Sequence, residues 1–176
     1  GVFQPASCQG VLTVAATNRA GNMAWYSNFG ASVEISAPGG ETNIRSTDGV
    51  LSTLNTGTTV PGGSAYRYYQ GTSMATPHVA GVVSLLFSLR PTLTPAQIQL
   101  ILQATATPFP AGSTCTPALC GPGIVDAAAA LLLAQSGFLP PHALQATTIS
   151  PSEIALTWHD NSTDETGFQI ERCQGV

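Results

Sequence analysis

Gly71-Thr72-Ser73-Met74-Ala75-Thr76-Pro77-His78-Val79-Ala80-Gly81 runs straight into Val82-Val83-Ser84-Leu85-Leu86-Phe87. The apolar run predicts a helix over residues 73–89, buried on nearly every side. Arg90-Pro91 ends it, because proline cannot continue a helix. Pro77 is expected in the first turn, where a missing N–H costs little. A serine at the start of such a helix has two readings. Serine is a preferred N-cap. Alternatively, the unpaired N–H groups of the first turn and the helix dipole would stabilise an anion formed beside the hydroxyl. That setting suits a nucleophile whose attack on a carbonyl creates an oxyanion.

On the upstream side, residues 50–55 and 65–70 read as two strands, the second rich in aromatics. The Gly-, Thr- and Pro-rich stretch 56–64 would turn between them, making a hairpin that delivers the chain to Gly71. Residues 11–17 form a short apolar run, read as a buried strand, and Asn18 to Asn22 a turn. Residues 25–30 and 33–40 read as further extended pieces, with 39–49 as a loop. On the downstream side, Thr94-Pro95-Ala96-Gln97 is a capping box with proline at the first helical position, opening a helix to about Gln103. Gly121 to Val125 should turn back as a short strand, and Asp126 should cap a helix over 127–134. Alternating strands and helices indicate an α/β layered domain with a mainly parallel sheet.

The eleven residues 71–81 closely resemble the nucleophile segment of the subtilisin-like serine proteases (subtilases, peptidase S8), Gly-Thr-Ser-Met-Ala-x-Pro-His-Val-Ala-Gly. Every fixed position of that motif is present. Three earlier segments are similar in order and content: the Val11–Ala16 strand, Tyr26-Ser27-Asn28-Phe29-Gly30, and Ala37-Pro38-Gly39. The resemblance covers roughly residues 5–135. It implies the C-terminal half of a subtilisin-like three-layer fold over 1–137, a serine endopeptidase activity on protein or peptide substrates, and Ser73 as the nucleophile. It also implies that His78 is structural. On helical geometry, His78 lies about 140° around the helix from Ser73 and cannot reach its hydroxyl.

The family orders its triad Asp, His, Ser. Asp and His would both precede Gly1, as would the oxyanion-hole asparagine. Asn18, Asn22, Asn28 and Asn55 are the nearby asparagines, and none occupies the family position. His142, His159 and Asp126 are not credible partners for Ser73. The chain opens at Gly1 without a methionine and is expected to be a piece of a longer protein, inactive by itself. Met74, next to the nucleophile, would make the parent sensitive to peroxide.

Composition narrows the alternatives. Charged residues are 8% of the chain, against roughly 25% in typical soluble domains. The absence of lysine excludes a Ser–Lys dyad, a Schiff base and a phosphate-loop lysine. Four arginines balance four carboxylates up to residue 137, so no basic face is offered to nucleic acid. No apolar run is expected to reach the length needed to span a membrane. Cys115 and Cys120 have four residues between them in a Gly/Pro-rich loop. A small disulfide is favoured over zinc, because no second pair or histidine completes a tetrahedron. An oxidising, extracellular location follows. Cys8 and Cys173 are left unassigned.

After the Pro-rich linker 138–142 the pattern changes. Residues 143–149 and 153–158 alternate as strands do, and 168–172 alternates again. Leu156-Thr157-Trp158 and the sequence after it resemble the opening of a fibronectin type III domain, which would make 143–176 a truncated β-sandwich module. The expected protein is a monomer with no cofactor in this stretch, although structural calcium accompanies many subtilases. An α/β-hydrolase needs Gly-x-Ser-x-Gly around its nucleophile, and Ala75 stands where the second glycine would be. Two further rival readings stand beside the protease. One is a non-catalytic subtilase-fold scaffold. The other is a binding or adhesion module built on the C-terminal segment.

Overall fold

The structure is a computed structural model that describes residues 4–137, 141–161 and 166–170. Its centre is a parallel pair of short strands, β1 (Val14–Thr17) and β2 (Ile35–Pro38), with Val14 opposite Ile35 and Thr17 opposite Pro38. Both strands are buried on both faces, as parallel strands covered on two sides must be. Ala16, Ile35 and Ala37 face one side, where they join the main core. Ala15 and Ser36 face the other, against the loop that carries Cys115 and Cys120.

The helix α1 (Thr72–Leu89) packs on the first face, against β1 and β2 and beside α4 (Ala127–Ser136). Its buried residues are Ala75, Val79, Val82 and Leu86, at spacings of four, three and four, which is one helical stripe. The expectation of burial on nearly every side is therefore corrected. Leu85 is 50% exposed, and Phe87 and Leu89 are exposed as well. Among the described residues, β1, β2 and α4 supply a layer on only one side of this helix. By length and composition alone α1 could also cross a bilayer, with 18 residues at a mean hydropathy of 1.3. This revises the expectation that no apolar run is long enough. Length and hydropathy alone do not indicate a membrane span, since the Ala75, Val79, Val82 and Leu86 stripe packs within the fold against β1, β2 and α4.

Between β2 and α1 the chain makes a one-turn 3-10 helix (Ser46–Asp48) and then the expected hairpin, β3 (Val50–Asn55) with β4 (Ser64–Tyr69). Asn55 organises its loop: the side-chain carbonyl accepts from the Gly57 and Gly62 N–H groups at 2.8 and 2.7 Å. Downstream lie α2 (Pro95–Ala104), a single turn α3 (Pro117–Cys120) and α4. The Thr94–Gln97 capping box is reciprocal, and Asp126 accepts the Ala129 N–H at 2.9 Å. The antiparallel pair β5 (His142–Ser150) and β6 (Glu153–His159) completes the described elements.

Three local expectations change. Residues 25–30 are a turn and irregular chain, not a strand. The Ala16 N–H is taken by the Ser27 hydroxyl at 2.8 Å, so a side chain stands where a ladder bond would be. Residues 121–125 contribute only isolated bridges through Ile124, one to Ser36 and one to Thr107. The mainly parallel sheet becomes three two-stranded sheets among the described residues, of which only β1–β2 is parallel. Residues 168–170 are not a strand, and residues 138–140 of the linker, 162–165 and 171–176 (which include Cys173) fall outside the description.

Candidate active site

Ser73 is not the cap of its helix. The N-cap is Gly71, whose backbone at φ 151°, ψ 161° lies in a region open essentially to glycine alone. The Gly71 carbonyl accepts the N–H groups of Met74 and Ala75 at 3.0 and 3.2 Å. No side chain caps the helix. Ser73 is therefore the second helical residue. Its side chain is exposed, and its N–H belongs to the set that an α-helix leaves without an internal partner. The helix dipole places partial positive charge at the same point. An exposed hydroxyl beside such a donor can attack an electrophile and have the resulting oxyanion stabilised.

Pro77 lies in the second turn, one turn later than expected. In a regular helix residue 77 would donate to the Ser73 carbonyl, and proline has no N–H to give. The position is exposed, so solvent reaches the carbonyl side of this turn. His78 is exposed, and its Nδ1 lies 2.8 Å from the Met74 carbonyl on the same helix. The ring is turned along its own backbone and does not serve Ser73. Asp126 is a cap, as expected. Its carboxyl is held below the ordinary carboxylate range, chiefly by the Ala129 N–H, with the Thr107 hydroxyl helping. Asn18 and Asn55 are spent on turns, Asn18 accepting from the Ala20 and Asn22 N–H groups, and Asn22 accepts the Thr114 N–H from the distant Cys115 loop.

The residues that hold the entrance of α1 were not found from the sequence. The Gly71 N–H donates to the Gly39 carbonyl at 3.1 Å. The Gly39 and Gly40 N–H groups both donate to the Thr17 carbonyl, at 2.9 and 3.1 Å. The N–H and hydroxyl of Thr42 converge on the side-chain carbonyl of Gln70. The Tyr26 hydroxyl donates to the Gly40 carbonyl. A methyl group on Gly39 would come within 2.6 Å of the Ala16 Cβ, 2.7 Å of the Tyr26 hydroxyl and 2.9 Å of the Gly71 carbonyl. Only a glycine fits there. Burial raises the Tyr26 pKa above the ordinary phenol value; a backbone bond from Gly71 opposes the rise and the Glu41 carboxylate adds to it. The hydroxyl thus keeps its proton and remains a donor. The signals in the sequence are the family-like segments holding Tyr26 and Gly39 and the Gly39-Gly40 pair, none of which says that these residues meet at Gly71.

The Cys115–Cys120 disulfide is formed, which removes the zinc alternative at that loop. Among the described residues Cys8 is a free, exposed thiol. Among the described residues no three His, Cys, Asp or Glu side chains gather as a metal site.

Residues 2–175 match the subtilase family (Peptidase_S8). The "Extracellular protease" of Xanthomonas campestris pv. campestris is 50% identical over 134 residues, covering 76% of this chain and 21% of that protein. The "Extracellular basic protease" of Dichelobacter nodosus is 44% identical over 131 residues, covering 72% and 20% respectively. Among solved structures, a protease from Pseudoalteromonas arctica PAMC 21717 superposes with a TM-score of 0.68 at 47% identity, over 74% of this chain and 38% of that one. The chain thus spans about a fifth of the length of these two named relatives.

Proposed function

This chain belongs to the subtilase family, and from that premise we propose that Ser73 is the nucleophile of a serine endopeptidase. The observation that carries the reading is an intact Gly71–Gly81 segment that leaves the Ser73 hydroxyl exposed at the second residue of α1. The hydroxyl attacks a peptide carbonyl and gives its proton to a histidine; the resulting tetrahedral oxyanion lies against the Ser73 N–H and the positive end of the helix. The imidazolium then protonates the leaving amine, and water hydrolyses the acyl-enzyme by the same route. The histidine, its orienting aspartate and the oxyanion asparagine come from parts of the parent protein outside these 176 residues. No described residue takes those roles, so the isolated chain is inactive.

The protein acts outside the cell on protein or peptide substrates. The names of its relatives and the Cys115–Cys120 bridge support that location. It works as a monomer. Residues 143–176 are the start of a fibronectin type III-like module, supported by the β5–β6 pair and the Trp158–Phe168 edge-to-face contact at 5.1 Å. Calcium, where the parent holds it, would draw mainly on backbone carbonyls in this stretch, since among the described residues no three His, Cys, Asp or Glu side chains gather. No step above depends on it.

The test uses the parent protein. Ser73→Ala should lower peptide hydrolysis by about 10⁶-fold while substrate binding is kept, since the attacking atom alone is lost. A fluorophosphonate should label the parent at Ser73. Turnover that survives the substitution would refute the assignment. Ser73-dependent hydrolysis by the isolated 176 residues would refute the need for outside partners.

A further inference from the structure

We propose that Tyr26 is a positioning residue for Ser73, acting through the glycine pair Gly39–Gly40 and the helix entrance at Gly71. The inference rests on the reading of Ser73 as nucleophile. Tyr26 is far from Ser73 in sequence, and its contact with the site is made entirely through backbone. Its hydroxyl donates to the Gly40 carbonyl. The adjacent Gly39 carbonyl accepts the Gly71 N–H at 3.1 Å. The Tyr26 hydroxyl and the Gly71 carbonyl also border the same small space above the Gly39 Cα, which a methyl group could not enter.

The logic is geometric. Gly71 is the cap, and no side chain caps the helix. Glycine has the widest conformational freedom of any residue, so three glycines in contact hold a position only if something else restrains them. Two restraints are side chains: Thr42 on Gln70, and Tyr26 on Gly40. The third is the Thr17 carbonyl of β1, which takes both glycine N–H groups. Of these, Tyr26 is the one that touches both sides of the Gly39–Gly71 contact. A nucleophile displaced by about 1 Å loses much of its rate, so a restraint two residues before it acts on chemistry more than on substrate affinity.

The substitution that tests this is Tyr26→Phe in the parent enzyme, which keeps the ring and removes the hydroxyl. The expected result is a fall in kcat of about three- to tenfold, the worth of one ordinary hydrogen bond, with KM changed less than about twofold. The rate of Ser73 labelling by a fluorophosphonate should fall in step. A rise in KM at unchanged kcat would make Tyr26 a substrate contact instead. A lower unfolding midpoint with kcat and labelling rate unchanged would leave it a purely structural residue. Either outcome overturns the proposal.

A readout without turnover separates this idea from the reading it rests on. In the unaltered protein the Gly71 amide should be protected from hydrogen exchange, and in Tyr26→Phe it should exchange about tenfold faster, with the Ser73 amide resonance shifted. A Gly71 amide that is unprotected in the unaltered protein, or unmoved by the substitution, refutes the positioning role even if Ser73→Ala abolishes proteolysis. Conversely, a parent with no Ser73-dependent turnover refutes the protease reading, and the exchange data still decide whether Tyr26 holds the helix entrance.

Discussion

Reduction of the Cys115–Cys120 bridge should destabilise the intact protein by about 2 kcal/mol. The two cysteines are five residues apart in sequence, so the bridge closes a loop of about six residues. The chain-entropy relation gives a loss of roughly 7 cal/mol/K for that loop, or about 2 kcal/mol at 25 °C. The loop is also anchored on both flanks. The Ser36 hydroxyl, fully buried on β2, donates to the Cys120 carbonyl at 2.7 Å. The Ser113 hydroxyl donates to the Gly21 carbonyl at 2.8 Å. Cys115, Cys120, Ala15 and Val33 form a separate small core on that face. Reduction retains both sulfur atoms and removes the cross-link, so it perturbs the packing of this buried pair less than truncating the side chains does. Replacing both cysteines by alanine also removes sulfur packing and should cost more. In urea unfolding the midpoint should fall by about 1 M on reduction with the slope unchanged. A fall of less than about 0.2 M would refute the reasoning, because the flanking bonds would then restrain the reduced loop as tightly as the disulfide does.

Two further outcomes follow from the described groups. Asp126→Asn keeps an N-cap but loses its charge. The folded pKa of Asp126 lies below its unfolded value of 3.8, chiefly through the Ala129 N–H. The aspartate's advantage should therefore be present above 3.8 and vanish as pH falls through the folded value; a urea-midpoint difference that stayed constant from about pH 7 to about pH 2 would contradict this. Met74 is half-buried, with its sulfur 3.6 Å from where a Gly71 Cβ would stand; peroxide should lower the parent's activity by adding a polar oxygen there, and a Met74→Ala variant that remained equally sensitive would count against it.

Features governed by neighbours in sequence were legible from sequence. Proline after Thr94 and Gln97 three residues on dictate a capping box, and the box is there. Asp126 before a run of alanines dictates a cap. Alternation on both sides of a Gly/Pro-rich turn dictated the hairpin, and its pairing runs from Val50–Tyr69 to Asn55–Ser64. Cys115 and Cys120 were close enough to join without help from elsewhere.

Features set by distant partners were not legible. Leu85 and Phe87 are as apolar as Val82 and Leu86, and only the placement of β1, β2 and α4 decides which are covered. Trp25 and Tyr26 have strand-forming side chains, but Ser27 takes the Ala16 N–H and breaks the ladder. The Tyr26 contact with Gly40 joins residues that share no periodic pattern.

The shift of the cap from Ser73 to Gly71 has a consequence for chemistry. An N-cap serine is engaged: its oxygen accepts an N–H from the second or third helical residue. A serine held that way has less of its lone-pair density free for attack. Here the Met74 and Ala75 N–H groups are taken by the Gly71 carbonyl. The hydroxyl two residues on is left exposed while its own N–H stays at the open end of the dipole. Side chains could not build this entrance, because Gly71 needs a backbone angle that other residues avoid and Gly39 has no room for a Cβ. The helix start is therefore clamped backbone to backbone, and Tyr26 and Thr42 brace that clamp from the flanks. This arrangement keeps the Ser73 hydroxyl free of the contacts that fix the helix start in place. On the proposed reading of Ser73 as nucleophile, its base would approach from the solvent side, which is the side of α1 that β1, β2 and α4 leave open.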